Sequence, residues 1–205
     1  MALLENNLRG ARLAARRVRV ADATLQVLAR EGARGLTYRM VDRTAQLPDG
    51  STSNYYRTHI ELLAAAAYRL IELDLQDLKW QIQLAESLEG ELAAMQFAEK
   101  LAATLIDWLS PRNRERTLAR CELFLEATRD GPLQDILTRS THEFMLQNKA
   151  CFQAAGAKHP ERAAMSMINF ILGVVYGRAI LPPGRSVVAE MKALCRSTIA
   201  TLNQE

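Results

Sequence analysis

Helix breakers are scarce in this chain: ten glycines and six prolines are spread through 205 residues. That scarcity excludes a collagen-like or low-complexity chain. It favours helices, because alanine, leucine, glutamate and arginine keep side-chain freedom in a helix, while glycine and proline destabilise one. Cysteine is sparse too. Cys121, Cys151 and Cys195 stand far apart, without the paired spacing of a zinc site or the density of a disulfide scaffold. They read as reduced, buried thiols of a cytosolic protein, with a thiol redox sensor as the alternative. Long apolar runs are also missing. The longest, Phe170–Tyr176, is too short to span a bilayer and is closed by Arg178. No apolar stretch backs the N-terminal arginines as a secretion signal would require. These absences point to a soluble cytoplasmic protein with no membrane partner.

Lysine is absent from residues 1–57, which nevertheless hold ten arginines and five acids, a balance of +5. The remaining 148 residues hold 16 basic and 18 acidic groups, a balance of −2. Positive charge confined to the first quarter of a chain hints at a polyanionic partner. Elsewhere the composition is ordinary for a globular protein, with 49% hydrophobic and 24% charged residues.

Periodicity and punctuation divide the chain into about nine helices. Leu13, Arg17, Val20, Thr24 and Leu28 recur at three- and four-residue steps, predicting an amphipathic helix over 12–31 that ends near Gly32. Thr37 can cap a short second helix from Tyr38 to about Ala45. "LPDG" then makes a turn, with Pro48 fixing one dihedral and Gly50 free to take a conformation other residues avoid. A third helix of one to two turns follows at 50–56. Thr58 and Glu61 have the spacing of a capping box and open a long helix toward Leu84. Further helices are expected at 90–109, 113–129, 133–155, 160–180 and 186–203, the last two separated at Pro182-Pro183-Gly184. No strand-like alternation is visible, so the predicted class is all-α.

Three helices in 57 residues, the second and third joined by a tight turn, make a helix-turn-helix. The third would lie in the major groove of duplex DNA. The small polar groups of Ser51, Thr52, Ser53 and Asn54 let its backbone come close while offering donors and acceptors. A tyrosine at the end of such a helix, as Tyr55 is, offers a hydroxyl to phosphate and an apolar ring to thymine methyls or to its own core. Arg39 and the arginines at 9, 12, 16, 17 and 19 supply charge that displaces counterions. Those before the first helix read equally as an extended arm or as a solvated helix face with frayed residues 1–10.

The stretch "ATLQVLAREGARGLTYRMVDRTAQLPDGSTSNYYRTHIELLAAA" resembles the N-terminal domain of the TetR family of bacterial transcriptional regulators. The likeness covers about residues 16–70 and rests on Gly32, Gly35, Thr37, Ala45, Gly50-Ser51, Tyr55-Tyr56 and Thr58 in that order. It implies a DNA-binding domain over 1–57 with a basic N-terminal arm. The contacts it implies are Thr37, Tyr38, Arg39, Gly50, Ser51, Thr52, Ser53, Asn54, Tyr55, Thr58 and His59. Tyr56 falls where the family has a buried phenylalanine, so Tyr56 should face inward and Tyr55 outward. Ser53 replaces a phosphate-touching tyrosine. His59 replaces a lysine or arginine and is mostly uncharged near neutral pH.

The resemblance further implies an effector-binding and dimerisation domain over 58–205, a pseudo-palindromic duplex DNA operator and a small-molecule effector. Candidate pocket residues are Phe97, Leu101, Trp108, Phe124, Phe144, Met145 and Phe170, with His142, Asn148 or Asn169 as polar anchors. Each of the apolar ones taken alone reads first as packing or solvated surface and second as a ligand contact. The helix over 160–180 is apolar on every face, as a helix covered on two sides must be. Ile168, Gly173, Val175 and Gly177 there, with Met191, Leu194, Thr198 and Leu202 on the last helix, are the candidate homodimer interface. The alternative is a monomer's buried core.

The leading expectation is a homodimeric repressor released from its operator by a small molecule. An activator, or a regulator without ligand, shares the same DNA-binding domain. An all-α enzyme is the reading from another class. The three histidines, His59, His142 and His159, come with no metal spacing, phosphate loop or nucleophile–base pair. No catalytic residue, metal or cofactor is therefore expected.

Overall fold

The computed structural model describes residues 2–180 and 187–204, and within them the side chains of 10–177, 179, 192–193 and 195–201. The helices among the described residues are α1 (Ala2–Gly35), α2 (Tyr38–Thr44), α3 (Ser51–Tyr55), α4 (His59–Leu78) and α5 (Trp80–Ser87). They continue with α6 (Gly90–Trp108), α7 (Arg114–Ala127), α8 (Gly131–Ala154), α9 (Pro160–Ile180) and α10 (Val187–Gln204), and a 3-10 turn at Pro111–Asn113 precedes α7. No strand occurs among these residues, and the fold is all-α.

The helices fall where punctuation placed them, with two differences. The helix expected from Thr58 toward Leu84 is divided at Lys79. There the Lys79 amide donates to Gln76 O at 3.4 Å, so the hydrogen-bond step shortens from four residues to three. At the other end, α1 already begins at Ala2, so the segment before Arg12 is helical rather than an extended arm. Between Ala2 and Arg9 there are three leucines and neither a glycine nor a proline to interrupt the helix. The expected break at Pro182-Pro183-Gly184 lies outside the described residues.

Gly32 interrupts α1 as its position predicts, with φ 68° and ψ 179°. The break frees the amide of Ala33, which donates to Glu122 Oε2 at 3.1 Å. A Cβ on residue 32 would stand 3.3 Å from that same oxygen. Both the left-handed backbone and the close carboxylate therefore favour glycine here.

The chain forms two compact units. The first joins Met1–Glu72 to Leu118–Leu137, and the second joins Leu73–Thr117 to Thr138–Glu205. Compactness thus does not stop at residue 57. The Arg69 guanidinium on α4 donates from Nε to Asp22 Oδ1 on α1 at 2.6 Å, and Glu122 holds Ala33. Val20, Leu28, Val41, Leu62, Ala66 and Leu70 fill the interior of the first unit. In the second, α6 packs against α5, α9 and α10, and Phe97, Leu101, Leu105, Phe152, Met167 and Ile199 are fully buried. Each such large side chain contributes about 1.5–3 kcal/mol by leaving water.

Candidate nucleic-acid interface

The first unit builds its helix-turn-helix from a few local bonds. Thr37 caps α2 by accepting from the Met40 amide at 3.3 Å. Arg19 on α1 donates to the carbonyl oxygen of Ala45 at 2.5 Å, at the point where Gln46 takes a left-handed φ of 52°. Gly50 follows at φ 86°, and having no side chain it cannot cap α3 itself. Asp42 on α2 does so instead. Its Oδ2 accepts from the Gly50 amide at 2.8 Å, and its Oδ1 accepts from the Thr52 amide at 2.7 Å and the Thr52 hydroxyl at 2.6 Å. After α3 the capping box closes as predicted. The Glu61 amide donates to Thr58 Oγ1 at 3.2 Å, and Glu61 Oε2 accepts from the amides of Arg57 and Thr58 at 2.6 and 3.3 Å.

These bonds decide which expected contacts reach the surface. Thr37, Arg39, Gly50, Ser53, Asn54, Thr58 and His59 are exposed, and Tyr38, Ser51 and Tyr55 are partly so. Thr52 is the exception. It is fully buried and its hydroxyl is committed to Asp42, so it serves the turn rather than the surface. Ser51 and Ser53 also turn their hydroxyls back, donating to the carbonyls of Pro48 at 2.6 Å and Gly50 at 2.9 Å. Arg19, expected to add only diffuse charge, is spent on the turn after α2.

The two tyrosines divide less sharply than their sequence positions imply. Tyr56 is half-buried, and burial raises its phenol above the ordinary value of 10.0 while the Arg17 charge pulls it back down. Tyr55 is equally half-exposed. Both line an open groove of about 580 Å³ with Arg17, Arg57 and Tyr68, between α1 and the first turns of α4. Neither ring is a sealed plug. Asp42 and Glu122 are supports that no local pattern marks, and Arg19 does more than add charge. Asp42 and Asp22, acids in a basic segment, were the one available signal.

Within the second unit the expected pocket residues form a packed aromatic interior. Phe97 meets the Phe152 ring edge-on at 5.3 Å and the Trp80 ring at 6.0 Å. Leu101, Trp108 and Met145 are buried in the same cluster, and Phe144 and Phe170 pack against it. Phe124 belongs to the other compact unit, apart from this cluster. Beside the aromatics lies a buried amide pair. Gln81 Nε2 donates to Asn148 Oδ1 at 3.3 Å, Asn148 Nδ2 donates to Phe144 O at 2.8 Å, and Gln81 Oε1 has no partner among the described residues. Asn148 is thus the expected polar anchor that lies inside. His142 and Asn169 are exposed.

The proposed interface residues also separate. Ile168 and Val175 point into this core, as the alternative of a monomer's buried core expects for them. Helical geometry sends them inward with Ile171, three residues after Ile168 and four before Val175. Gly173 and Gly177 lie on the opposite, exposed side of α9, in line with Met165 and Asn169 at four-residue steps. Thr198 is partly exposed. The side chains of Met191, Leu194 and Leu202 lie outside the described residues.

Cys151 and Cys195 sit in the apolar core of the second unit, and Cys121 is partly buried between Arg120 and Glu122 in sequence. Burial pushes Cys151 up to about 12 and Cys195 to about 11, from an ordinary 9.0, and it raises Cys121 as well. A low-pKa redox thiol is the opposite arrangement. The unfolded chain ionises these thiols first, so their contribution to stability is intact below pH 9.0 and is lost as pH climbs toward 12. Urea midpoints are expected to fall between about pH 8 and about pH 10.5, and the fall should shrink in Cys151→Ala. An unchanged pH slope in that variant would contradict this placement of the thiol. Among the described residues no group of three or more His, Cys, Asp or Glu could hold a metal ion, and no helix is long and apolar enough to cross a membrane.

An all-α chain whose first unit presents a helix-turn-helix defines a DNA-binding regulator, and comparison with known proteins agrees. Residues 93–201 match the family model described as "Tetracyclin repressor-like, C-terminal domain". The chain belongs to this TetR family of transcriptional regulators. Its fold is similar to that of a transcriptional regulator from Rhodococcus sp. Rha1, with TM-score 0.72 and 17% identity over 91% of this chain and 95% of that one. It is also similar to a TetR-family regulator from Mesorhizobium loti, with TM-score 0.73 and 14% identity over 92% and 95% of the two chains. A third similar structure is the multidrug binding protein EbrR complexed with malachite green, with TM-score 0.68 and 21% identity over 92% and 98%. A search of curated proteins returns no match.

Proposed function

We propose that the protein is a homodimeric repressor that a small-molecule effector releases from a pseudo-palindromic operator. The observation that carries the DNA reading is the surface around α3, where Arg39, Ser53, Asn54 and Tyr55 are accessible beside a capped start of α4. Support for two copies comes from α9, whose exposed Gly173 and Gly177 would let another helix backbone approach closely. Two symmetric reading units also suit a two-fold operator. Support for an effector comes from the buried amide pair beside Trp80, Phe97 and Phe152, an apolar setting with few polar groups that suits an uncharged, partly aromatic molecule. The EbrR structure, complexed with malachite green, supports an aromatic small-molecule effector by similarity of fold, though not its lack of charge. Effector and operator then act on each other through a shared conformational equilibrium.

Fluorescence polarisation on duplexes selected by the protein from a random library tests this reading. Affinity should fall about a thousandfold between roughly 50 and 200 mM salt, as counterions compete for phosphate. Tyr55→Phe should weaken binding about three- to tenfold, the worth of one hydroxyl–phosphate bond, without changing the melting temperature. Tyr56→Ala should lower that temperature instead. Salt-insensitive binding with no selected duplex would overturn the proposal.

A further inference from the structure

A five-residue helix cannot hold itself in water, because the cost of forming its first turn is never recovered by so few added bonds. α3 is such a helix, running only from Ser51 to Tyr55. Its own N-cap, Gly50, brings no side chain. The carboxylate that orders it belongs to another helix. Asp42, itself almost wholly buried on α2, takes the amides of Gly50 and Thr52 and the Thr52 hydroxyl with both of its oxygens.

Two consequences follow from that arrangement. Amides at a helix start ordinarily attract an anion, and a DNA phosphate is the anion at hand for a reading helix. Here those amides already face a protein carboxylate, whose charge would repel phosphate. DNA contacts of α3 therefore fall to its side chains. Of these, Thr52 is buried on Asp42, Ser51 and Ser53 donate their hydroxyls to the backbone of the turn, and Tyr55 is the phosphate contact proposed above. Asn54 is exposed, and its amide makes no side-chain hydrogen bond to the protein among the described residues. A side-chain amide offers one donor and one acceptor side by side, the pattern that pairs with the N6 and N7 edge of adenine in the major groove.

We infer that Asp42 is the positioning residue of the reading helix, fixing α3 through Thr52 so that the Asn54 amide is its base-reading group. This rests on the DNA-binding reading above. It adds where sequence selectivity resides: in a buried acid and one exposed amide, separate from the arginines that supply general affinity.

The test compares the affinity of the full chain for its selected duplex with that for a scrambled duplex of the same length, at one salt concentration. Thr52→Val and Asp42→Asn should each lower the selected-to-scrambled ratio about tenfold, leaving scrambled-duplex affinity within about twofold. Thr52→Ser, which keeps the hydroxyl, should retain the wild-type ratio. Asn54→Ala should lose about tenfold as well, and the Thr52→Val/Asn54→Ala double variant should lose no more than Asn54→Ala alone, since both act on one contact. Far-ultraviolet circular dichroism confirms that each variant is folded, and Thr52→Val carries the test if Asp42→Asn is not. The inference fails if Thr52→Val keeps the wild-type ratio, if it weakens both duplexes equally, or if the double variant multiplies the losses. Absence of any selected duplex for the unaltered protein would instead overturn the DNA-binding reading itself.

Discussion

Replacing Phe97 with alanine is expected to lower folding stability by about 3–5 kcal/mol, the usual cost of emptying a phenylalanine site in a close-packed interior. Phe97 is fully buried, and its ring is contacted by Phe152 and Trp80 from other helices. Three helices thus lose contacts at once. The surrounding rings are held in turn, Trp80 by its indole N–H donating to Thr104 Oγ1 at 3.1 Å, which limits how far they can close the gap. Urea unfolding would read this as a lower midpoint at unchanged slope. The experiment also separates two roles for the aromatic cluster. A residue that merely lined a roomy pocket would lose far less, so a change below about 1 kcal/mol would return Phe97 to the effector contacts.

A loss of similar size is expected from Arg116→Ala, for an electrostatic reason. Its guanidinium lies on α7 against Asp74 and Asp77 of α4, bonded to Asp74 Oδ1 and, at 2.8 Å, to Asp77 Oδ2. It also stacks over the Trp108 ring at 5.7 Å, and that indole N–H donates to Asp77 Oδ2 at 2.7 Å. Asp74 is 8% exposed and Arg116 15%. Removing the cation leaves the nearly buried Asp74 carboxylate without that counter-charge, with Asp77, 32% exposed, beside it, which costs about 3–5 kcal/mol. The melting temperature should fall by roughly 10 °C for a chain of this size. Removing both charges together, as in Arg116→Met with Asp74→Asn, should recover a large part of the loss, because a buried pair is a weaker stabiliser than its broken half is a destabiliser. If the double variant melts no higher than Arg116→Ala, the packing of the arginine stem matters more than its charge.

The features that could be read from the chain are those whose cause lies within a few residues. Thr37 three positions before Met40, Thr58 three before Glu61, and Gly32 closing an amphipathic run each carry their partner nearby. All three behave as their spacing predicts. Thr52 misled for an instructive reason. A hydroxyl in a reading helix suggests a DNA contact, and nothing local reveals that an aspartate ten residues earlier takes it inward. The bond between Glu122 and Ala33 spans 89 positions, so no periodicity could announce it. Likewise α9 is apolar all round, but only three dimensions show Ile168 and Val175 turned to the core and Gly173 and Gly177 away from it. The division at Lys79 carries no glycine or proline, and a single shortened hydrogen bond marks it.

The arginine-only character of the first unit reaches beyond electrostatics. Lys79, Lys100, Lys149, Lys158 and Lys192 all belong to the second unit, and Leu118–Leu137 adds none to the first. Lysine acetylation therefore has no side chain in the reading unit on which to act, and cellular control of its charge by that route is closed. The same distribution is useful at the bench. Dyes, resins and sensor chips that couple to lysine amines attach through the second unit, leaving every arginine around α3 chemically intact for DNA.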